Sequence, residues 1–244
     1  MKADFAVILA AGRGTRMNTK KPSALMEVCG RSLAAWAVRN AAPCAQNKPV
    51  VVQGPGCEIE KTLGDEADYA IQEKPEGEVQ ALRRALERTG SAHGPVLVIY
   101  ANIPLIETEY LEAIIAAAEQ NGAASLVWSD EESEKMRSAG AWCFMDWALD
   151  EALENTADTA TIAECAEALM NRGMNVRELL IDQMLCVAAV DRTTLCTCEY
   201  LMNARLVTEL MKNGVTVKDP SGVHVDAGVS VGQDSVLWPN VILT

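Results

Sequence analysis

Residues 9–17 read Leu-Ala-Ala-Gly-Arg-Gly-Thr-Arg-Met and follow directly on the apolar run Phe5–Ile8, which predicts a buried first β-strand. Two glycines and small side chains let the backbone of such a turn approach a ligand closely, so that its N–H groups can bind phosphate oxygens. Arg16 adds a permanent positive charge beside these amides. The stretch predicts a phosphate-binding loop, and an ordinary strand-to-helix turn that needs glycine is the alternative. Its glycine spacing matches neither the dinucleotide fingerprint nor the Walker A loop.

The rest of the chain alternates between short apolar runs and amphipathic segments. This alternation predicts an α/β, doubly wound, mostly parallel, Rossmann-like sheet, in which ligands bind at the carboxyl ends of the strands. The helix at 108–121 has the clearest period, with an apolar stripe and Gly122 as its C-cap. Strands are predicted at 4–9, 49–53, 68–72, 96–100, 124–128, 140–144 and 184–190, and helices at 31–41, 77–89, 108–121, 146–155, 160–172 and 194–213.

The tail has a different period, because apolar residues recur every six positions. A hexapeptide repeat is typical of a parallel β-helix, and two ordinary strands with turns at Gly228 and Gly232 are the alternative. We therefore divide the chain into a main domain, 1–218, and a truncated β-helix segment, 219–244. So short a solenoid cannot bury its own core, which predicts that it docks on the main domain or joins copies into a homo-oligomer. The two series are Val225, Val231, Leu237, Leu243 and Val223, Val229, Val241, with Ser235 interrupting the second.

Composition limits the partners. The net charge of −13 argues against a nucleic-acid partner, which would select for a basic face. No apolar run approaches the length of a transmembrane helix, so we expect no membrane partner. The eight cysteines are scattered without zinc-ligand spacing. Without a secretion signal, they are expected to be free thiols in a cytoplasmic protein.

The loop at 9–17 resembles the signature loop of the sugar nucleotidyltransferases (pyrophosphorylases), in particular the uridyltransferase domain of the bifunctional N-acetylglucosamine-1-phosphate uridyltransferases. Residues 96–106 resemble that family's central strand and metal-binding turn, and Gln72–Ala81 its base-recognition segment. Residues 214–220 resemble the exit from its last helix, and the tail resembles the start of its left-handed β-helix. The segment from about 129 to 138 matches poorly and is shortened.

The resemblance implies a reaction between UTP and a sugar-1-phosphate that gives a UDP-sugar and pyrophosphate, with Mg²⁺ as cofactor. It implies that Gln72 reads the uracil edge and that Gly77 lets a helix N-terminus approach the base and ribose. Without the resemblance, a strand-end hydrogen bond is an equally good role for Gln72. The residues that it assigns to nucleotide binding are Leu9, Ala10, Ala11, Gly12, Gly14, Thr15, Gln72, Gly77, Tyr100 and Ala101, with Arg16 in catalysis.

Several positions depart from the family pattern. The family lysine after the proline is Ser23 here, and Lys21 just before that proline is the candidate replacement, with a solvated turn as its alternative role. The threonine after the base-binding glycine is Glu78, and the histidine two residues further is Gln80. The glycine and the metal-binding aspartate of the central turn are Ala101 and Asn102.

The departure at the metal site suggests an exchange of ligands. The family pairs its aspartate with an asparagine before the last long helix, and Asp191 lies near the second position here. Asn102 and Asp191 would still offer one amide and one carboxylate oxygen, which suits magnesium. Asp191 as the N-cap of the following helix is the alternative, as is an alignment that places Val190 at the ligand position.

Two functions follow. The first is a working nucleotidyltransferase that makes or recognises a UDP-sugar with an altered acceptor. The second is a catalytically impaired relative that keeps the fold for nucleotide binding, regulation or assembly. The intact loop and Gln72 favour the first, whereas Ser23, Glu78, Asn102 and the shortened sugar-binding segment favour the second. A dehydrogenase is excluded because the chain lacks the dinucleotide glycine pattern and its acidic ribose-binding residue.

Overall fold

The computed structural model describes residues 2–130 and 132–244. Helices cover both faces of one central sheet, and short strands form a separate C-terminal segment. The strands are β1 (Phe5–Leu9), β2 (Glu27–Val28), β3 (Arg31–Ser32), β4 (Val50–Gln53), β5 (Asp68–Ile71), β6 (Val96–Tyr100), β7 (Ala123–Asp130), β8 (Lys135–Phe144), β9 (Val176–Leu180), β10 (Thr216–Val217), β11 (His224–Val225), β12 (Val236–Leu237) and β13 (Ile242–Leu243). The helices are α1 (Leu33–Ala41), α2 (Glu58–Leu63), α3 (Glu78–Thr89), α4 (Thr108–Asn121), α5 (Asp146–Glu154), α6 (Ile162–Asn171) and α7 (Arg192–Lys212).

The central sheet has seven strands in the order β5-β4-β1-β6-β8-β7-β9. The first four are mutually parallel, and β9 is parallel to β7. Strand β8 is antiparallel to both of its neighbours. The prediction of an α/β fold around a mostly parallel sheet is confirmed. The parallel strands end at one rim, where loops can surround a ligand.

The apolar run of β1 is explained by burial on both sides of the sheet. Ala6 and Ile8 join the core beneath α1, α2 and α4. Val7 points to the opposite face and joins the core beneath α3, α5 and α6. A strand covered on both faces shows no polar alternation, and for this reason residues 5–9 appear uniformly apolar in the sequence.

The periodicity of the 108–121 segment is confirmed by α4. Its apolar stripe is buried against the sheet, and Gly122 ends the helix with φ of 94° and an N–H bond to Ala118. All eight cysteines are free thiols, as expected. No helix within the described residues combines the length and hydrophobicity needed to cross a membrane.

The predicted strand at 184–190 is wrong. The strand that pairs with β7 is β9, Val176–Leu180, and residues 183–185 form a short 3₁₀ turn. The apolar residues that follow do not join the sheet; Cys186 and Ala189 are buried, and the backbone N–H of Ala189 bonds to the carbonyl of Asn102 at 2.8 Å. Helix α2 was not predicted, since a helix of six residues is too short to show a period.

The C-terminal segment pairs its own strands and docks on α7. Strand β10 is parallel to β12, and β11 is parallel to β13, with Val225 opposite Leu243 three six-residue periods later. The apolar residues of both hexapeptide series, from Val223 to Leu243, pack together against Val207 and Leu210 of α7. The segment is therefore buried against the main domain, as its length requires.

Asn203 of α7 fixes this docking with two hydrogen bonds, one donated to Val223 O at 2.8 Å and one accepted from Val225 N at 2.9 Å. We expect Asn203→Ala to lower the free energy of unfolding by about 1–3 kcal/mol, because two backbone groups lose their partner. Urea denaturation measures this change. Thr208→Ala, on the exposed side of the same helix, should change stability by less than about 0.5 kcal/mol. An equal effect of the two substitutions would show that the tail is not held through Asn203.

Candidate active site

A cavity of about 660 Å³ lies at the rim where β1, β5 and β6 end. The loop after β1, the segment after β5 and the turn after β6 form one half of its wall. Residues 138–140 of β8, 159–161 before α6 and 186–190 before α7 form the other half. The structure thus brings together every sequence-predicted site residue except Lys21 and Asp191, which do not line the cavity.

The loop after β1 offers free amides to this cavity. The last sheet bonds run from Ala10 N to Val52 O at 3.0 Å and from Ala101 N to Leu9 O at 3.1 Å. The N–H groups of residues 11–15 make no hydrogen bond with any described residue. A run of unpaired amides beside a guanidinium, that of Arg16, is suited to binding phosphate oxygens.

The two glycines of the loop serve different purposes. Gly14 has φ of +56°, and a Cβ there would lie 2.2 Å from Cβ of Ser23. Gly14 is therefore required by the packing of the loop against Ser23. Gly12 has no neighbour within 4 Å, so its lack of a side chain leaves open space on the cavity wall.

The cationic side chains are fewer than the resemblance implies. Arg16 lines the cavity, whereas Lys21 is exposed and outside the lining. Ser23, at the family's lysine position, does line it. Among the described lining residues, Arg16 is the cation, and Glu76 and Glu78 are carboxylates.

At the opposite end of the cavity, Gln72 is buried directly after β5. Its Nε2 donates to the carbonyl of Gly77 and to Oε1 of Gln80, both at 2.8 Å. These two bonds hold the side-chain amide in one orientation at the cavity wall.

The N-terminus of α3 is covered by the chain itself. The N–H groups of Glu78 and Val79 donate to Ala160 O, and that of Gln80 donates to Asp158 O, all at 3.1 Å. A Cβ on Gly77 would lie 2.1 Å from Asp158 O. Gly77 is therefore needed for the close packing of the α5–α6 loop, and the first amides of α3 are not available to a nucleotide.

Glu78 has a structural role that sequence reasoning missed. Its Oε2 accepts hydrogen bonds from the hydroxyl of Tyr100 at 2.6 Å and from the N–H of Ile162 at 3.0 Å. Burial, reinforced by the carboxylate of Glu78, raises the pKa of Tyr100. Glu78 thus joins the end of β6 to the first turns of α3 and α6. The sequence signal for this role was an acidic residue in the first turn of a predicted helix.

Asn102 has a side-chain oxygen without a hydrogen-bond partner among the described residues, and a metal ion could use it. This Oδ1 is buried, although the residue lines the cavity. A hard cation prefers such oxygen ligands. No group of three or more histidine, cysteine or acidic side chains that could hold a metal occurs among the residues the structure describes. Asn102 could therefore serve as one ligand, with phosphate oxygens and water completing the shell.

Asp191 is the N-cap of α7. Its Oδ1 accepts the N–H of Thr194 at 2.8 Å and the Thr194 hydroxyl at 2.9 Å. These bonds, together with the charge of Arg16, lower the pKa of the Asp191 carboxyl. The neighbouring Val190 lines the cavity and Asp191 does not, so the capping role is the one the contacts show.

The strand-rim cavity, the free amides after β1 and the mostly parallel sheet define a nucleotidyltransferase fold. A Bacillus anthracis protein assigned as a glucose-1-phosphate thymidylyltransferase superposes with a TM-score of 0.66 at 17% identity, over 80% of this chain and 94% of that one. The protein Rv0371c of Mycobacterium tuberculosis superposes with a TM-score of 0.63 at 16% identity, over 81% and 97% of the two chains.

The sequence profile of the MobA-like NTP transferase domain matches residues 6–183, and the chain belongs to this family. The bifunctional protein GlmU of Acetivibrio thermocellus is 28% identical over 281 aligned positions, which cover 100% of this chain and 61% of the relative. The bifunctional protein GlmU of Bacillus subtilis is 29% identical, and the alignment covers 100% of this chain and 62% of that relative. The chain spans about three fifths of the length of these relatives, and the resemblance to the sugar-1-phosphate nucleotidyltransferases is confirmed at this level.

We expect Gly77→Ala to destabilise the protein by about 1–3 kcal/mol, because the new methyl group would overlap the Asp158 carbonyl. Thermal unfolding measures the loss. Gly12→Ala is the matched control, since open space surrounds that glycine, and it should leave stability within about 0.5 kcal/mol. Equal melting temperatures for the two variants would show that the α5–α6 loop does not pack on Gly77 in solution.

Proposed function

We propose that the chain binds UTP with Mg²⁺ in the strand-rim cavity and transfers the uridylyl group to a small sugar-1-phosphate, giving a UDP-sugar. The observation that carries this proposal is the run of unpaired amides at residues 11–15 beside Arg16, which faces the same cavity as Gln72 and Asn102. One end of the cavity can hold phosphates and the other can read a base. The similarity to GlmU, at 28% to 30% identity, supports a UDP-sugar as the product.

In the proposed reaction, a phosphate oxygen of the sugar-1-phosphate attacks the α-phosphorus of UTP. The new P–O bond forms as the bond to the bridging oxygen breaks, and pyrophosphate leaves with the electron pair. The protein contributes position and charge compensation. Leu9, Ala10, Ala11, Gly12, Gly14 and Thr15 form the phosphate loop, Arg16 neutralises the leaving pyrophosphate, and Tyr100 and Ala101 form the floor near the α-phosphate.

Magnesium would be held by Asn102 and by the phosphates. When bound, the ion would withdraw negative charge from the phosphate oxygens while the uridylyl group is transferred. The orphaned Oδ1 of Asn102 fits this role. In the structure the carboxylate of Asp191 caps α7. Its role as a second metal ligand therefore remains a prediction. Lys21 as a catalytic cation also remains a prediction, and it requires the loop at 18–21 to move towards the cavity.

A catalytically impaired nucleotide-binding relative is the second candidate. It is favoured by Ser23 in the cavity lining and by an amide in place of a carboxylate at residue 102. A pyrophosphate-release assay with a panel of sugar-1-phosphates, each with UTP, CTP, ATP and GTP, distinguishes the two. Release with UTP and one sugar-1-phosphate supports the enzyme, whereas UTP binding without release in any pair supports the impaired relative.

We further propose that the tail is the first coil of a left-handed β-helix and that it serves homo-oligomer assembly. The parallel pairing of Val225 with Leu243 supports a coil of three hexapeptides. The side chains of Val236, Trp238 and Ile242 are exposed on its outer surface, which would suit a contact between copies. A cytoplasmic location is part of the same proposal, and the eight free thiols of the chain support it.

The two ends of the cavity should respond differently to substitution. We expect Arg16→Ala to weaken UTP, CTP and ATP binding alike, by about 10-fold or more, because a charge-assisted bond to phosphate is lost. Gln72→Ala should lower the affinity for UTP alone and so remove the preference for it. Calorimetric titration with each nucleotide and Mg²⁺ measures both. A general loss from Gln72→Ala would contradict its base-reading role.

We expect Asn102→Asp to tighten Mg²⁺-dependent UTP binding by about 3- to 10-fold, because a carboxylate binds a hard cation more strongly than an amide does. Asp191→Asn is the control, since asparagine keeps the N-cap and removes the charge. It should change the affinity by less than about 3-fold, given that the carboxylate is outside the cavity lining. Loss of metal-dependent binding in Asp191→Asn would instead establish Asp191 as the second ligand.

A further inference from the structure

A primary amide carries one acceptor oxygen and one NH₂ donor, so Gln72 could read a base in two opposite ways. In the structure its Nε2 lies 2.8 Å from the carbonyl oxygen of Gly77. A backbone carbonyl only accepts, so the atom that faces it is the nitrogen of the amide. This backbone contact favours one polarity of the Gln72 amide, and as a single bond it still leaves the amide free to turn about that contact.

Gln80 reinforces this polarity from outside the cavity. Its Oε1 accepts the second N–H of Gln72 at 2.8 Å, and its own Nε2 lies 3.5 Å from a carboxylate oxygen of Glu76. A carboxylate likewise only accepts, so the chain of bonds from Glu76 through Gln80 to Gln72 has one direction. Both donors of Gln72 are used within the protein, and Gln80 does not line the cavity.

The remaining group of Gln72 is its carbonyl oxygen. Gln72 is 3% exposed and lines the cavity, and its Oε1 makes no hydrogen bond with a described residue, so this oxygen is the group left for a ligand. An acceptor at this wall pairs with a base that presents an N–H. The N3 position of uracil or thymine is such a donor, whereas N3 of cytosine is an acceptor.

We propose that Gln80 is a positioning residue that holds the Gln72 carbonyl towards the base and so makes the cavity select pyrimidine nucleotides with an N3–H. This rests on the proposed function, because it requires a nucleotide in the cavity. Beyond the proposed function, Gln80 is then the residue that determines, through Gln72, which base edge is bound. Gln80 acts through Gln72 and touches no ligand.

The affinities of UTP and CTP test the proposal, because the two nucleotides have equal charge and nearly equal size. Calorimetric titrations with Mg²⁺ are made on the full chain, on Gln80→Met and on Gln80→Glu combined with Glu76→Gln. The wild-type protein should favour UTP by at least about 10-fold, since an acceptor facing an acceptor leaves both unpaired. In Gln80→Met the Gln72 amide keeps only its bond to the Gly77 carbonyl. The preference for UTP over CTP should then fall below about 3-fold. Gln80→Glu keeps an acceptor at the same reach and, when combined with Glu76→Gln so that no second carboxylate faces it, should retain the wild-type preference.

The outcomes separate this inference from the proposed function. Absence of UTP binding to the wild-type protein would reject the proposed function, and the inference with it. If a folded Gln80→Met variant keeps the wild-type preference for UTP, the role of Gln80 alone is rejected. The same holds if Gln80→Glu, combined with Glu76→Gln, loses as much of this preference as Gln80→Met does. A wild-type preference for CTP would reject the polarity of Gln72. Melting curves establish that each variant is folded, and Gln80→Ala, which also removes the acceptor, replaces Gln80→Met if that variant is unstable.

Discussion

The hydrogen bond from Ala101 N–H to the Leu9 carbonyl is the last bond between β1 and β6, and the cavity begins where it ends. Beyond it, the backbone at residues 11–15 leaves the sheet with its N–H groups unpaired. Such groups are tolerated only where water or a ligand can satisfy them. The buried strands on both sides fix the point at which the loop leaves the sheet and opens onto the cavity.

The α5–α6 loop forms another part of the cavity wall, and there the backbone N–H groups are paired within the protein. Helix α3 begins at the cavity, and its first N–H groups would ordinarily attract an anion. Here the carbonyls of Asp158 and Ala160 occupy them, and Glu78 binds the first residue of α6 as well as Tyr100. The helix terminus thus serves to position Gln72 and its neighbours. In the proposed complex, base recognition would then rely on side-chain atoms, above all the carbonyl of Gln72.

The sequence was sufficient where one local pattern decides the structure. The apolar run of β1 and the apolar stripe of α4 each require one arrangement to bury their apolar side chains, and the glycines after β1 mark the turn that follows it. It was insufficient where distant contacts decide. The apolar stretch 186–190 lies at the rim, where the N–H of Ala189 bonds to the Asn102 carbonyl, and no local signal distinguishes this from a strand. The reason for Gly77 is likewise a carbonyl some eighty residues away, and only the folded chain reveals it.

Charge balance explains why the departures from the family pattern matter together. The proposed substrates, a nucleoside triphosphate and a sugar-1-phosphate, would bring several negative charges into a cavity whose described lining contains the cation Arg16 and the carboxylates Glu76 and Glu78. The whole chain carries a net charge of −13, so long-range attraction of such substrates is not available. Free amides supply partial positive charge but not neutralisation. In the proposed complex a divalent cation would provide most of this neutralisation, and on the protein side it would be held by the neutral oxygen of Asn102. Under the proposed function, the affinity for these substrates would therefore depend strongly on the metal concentration.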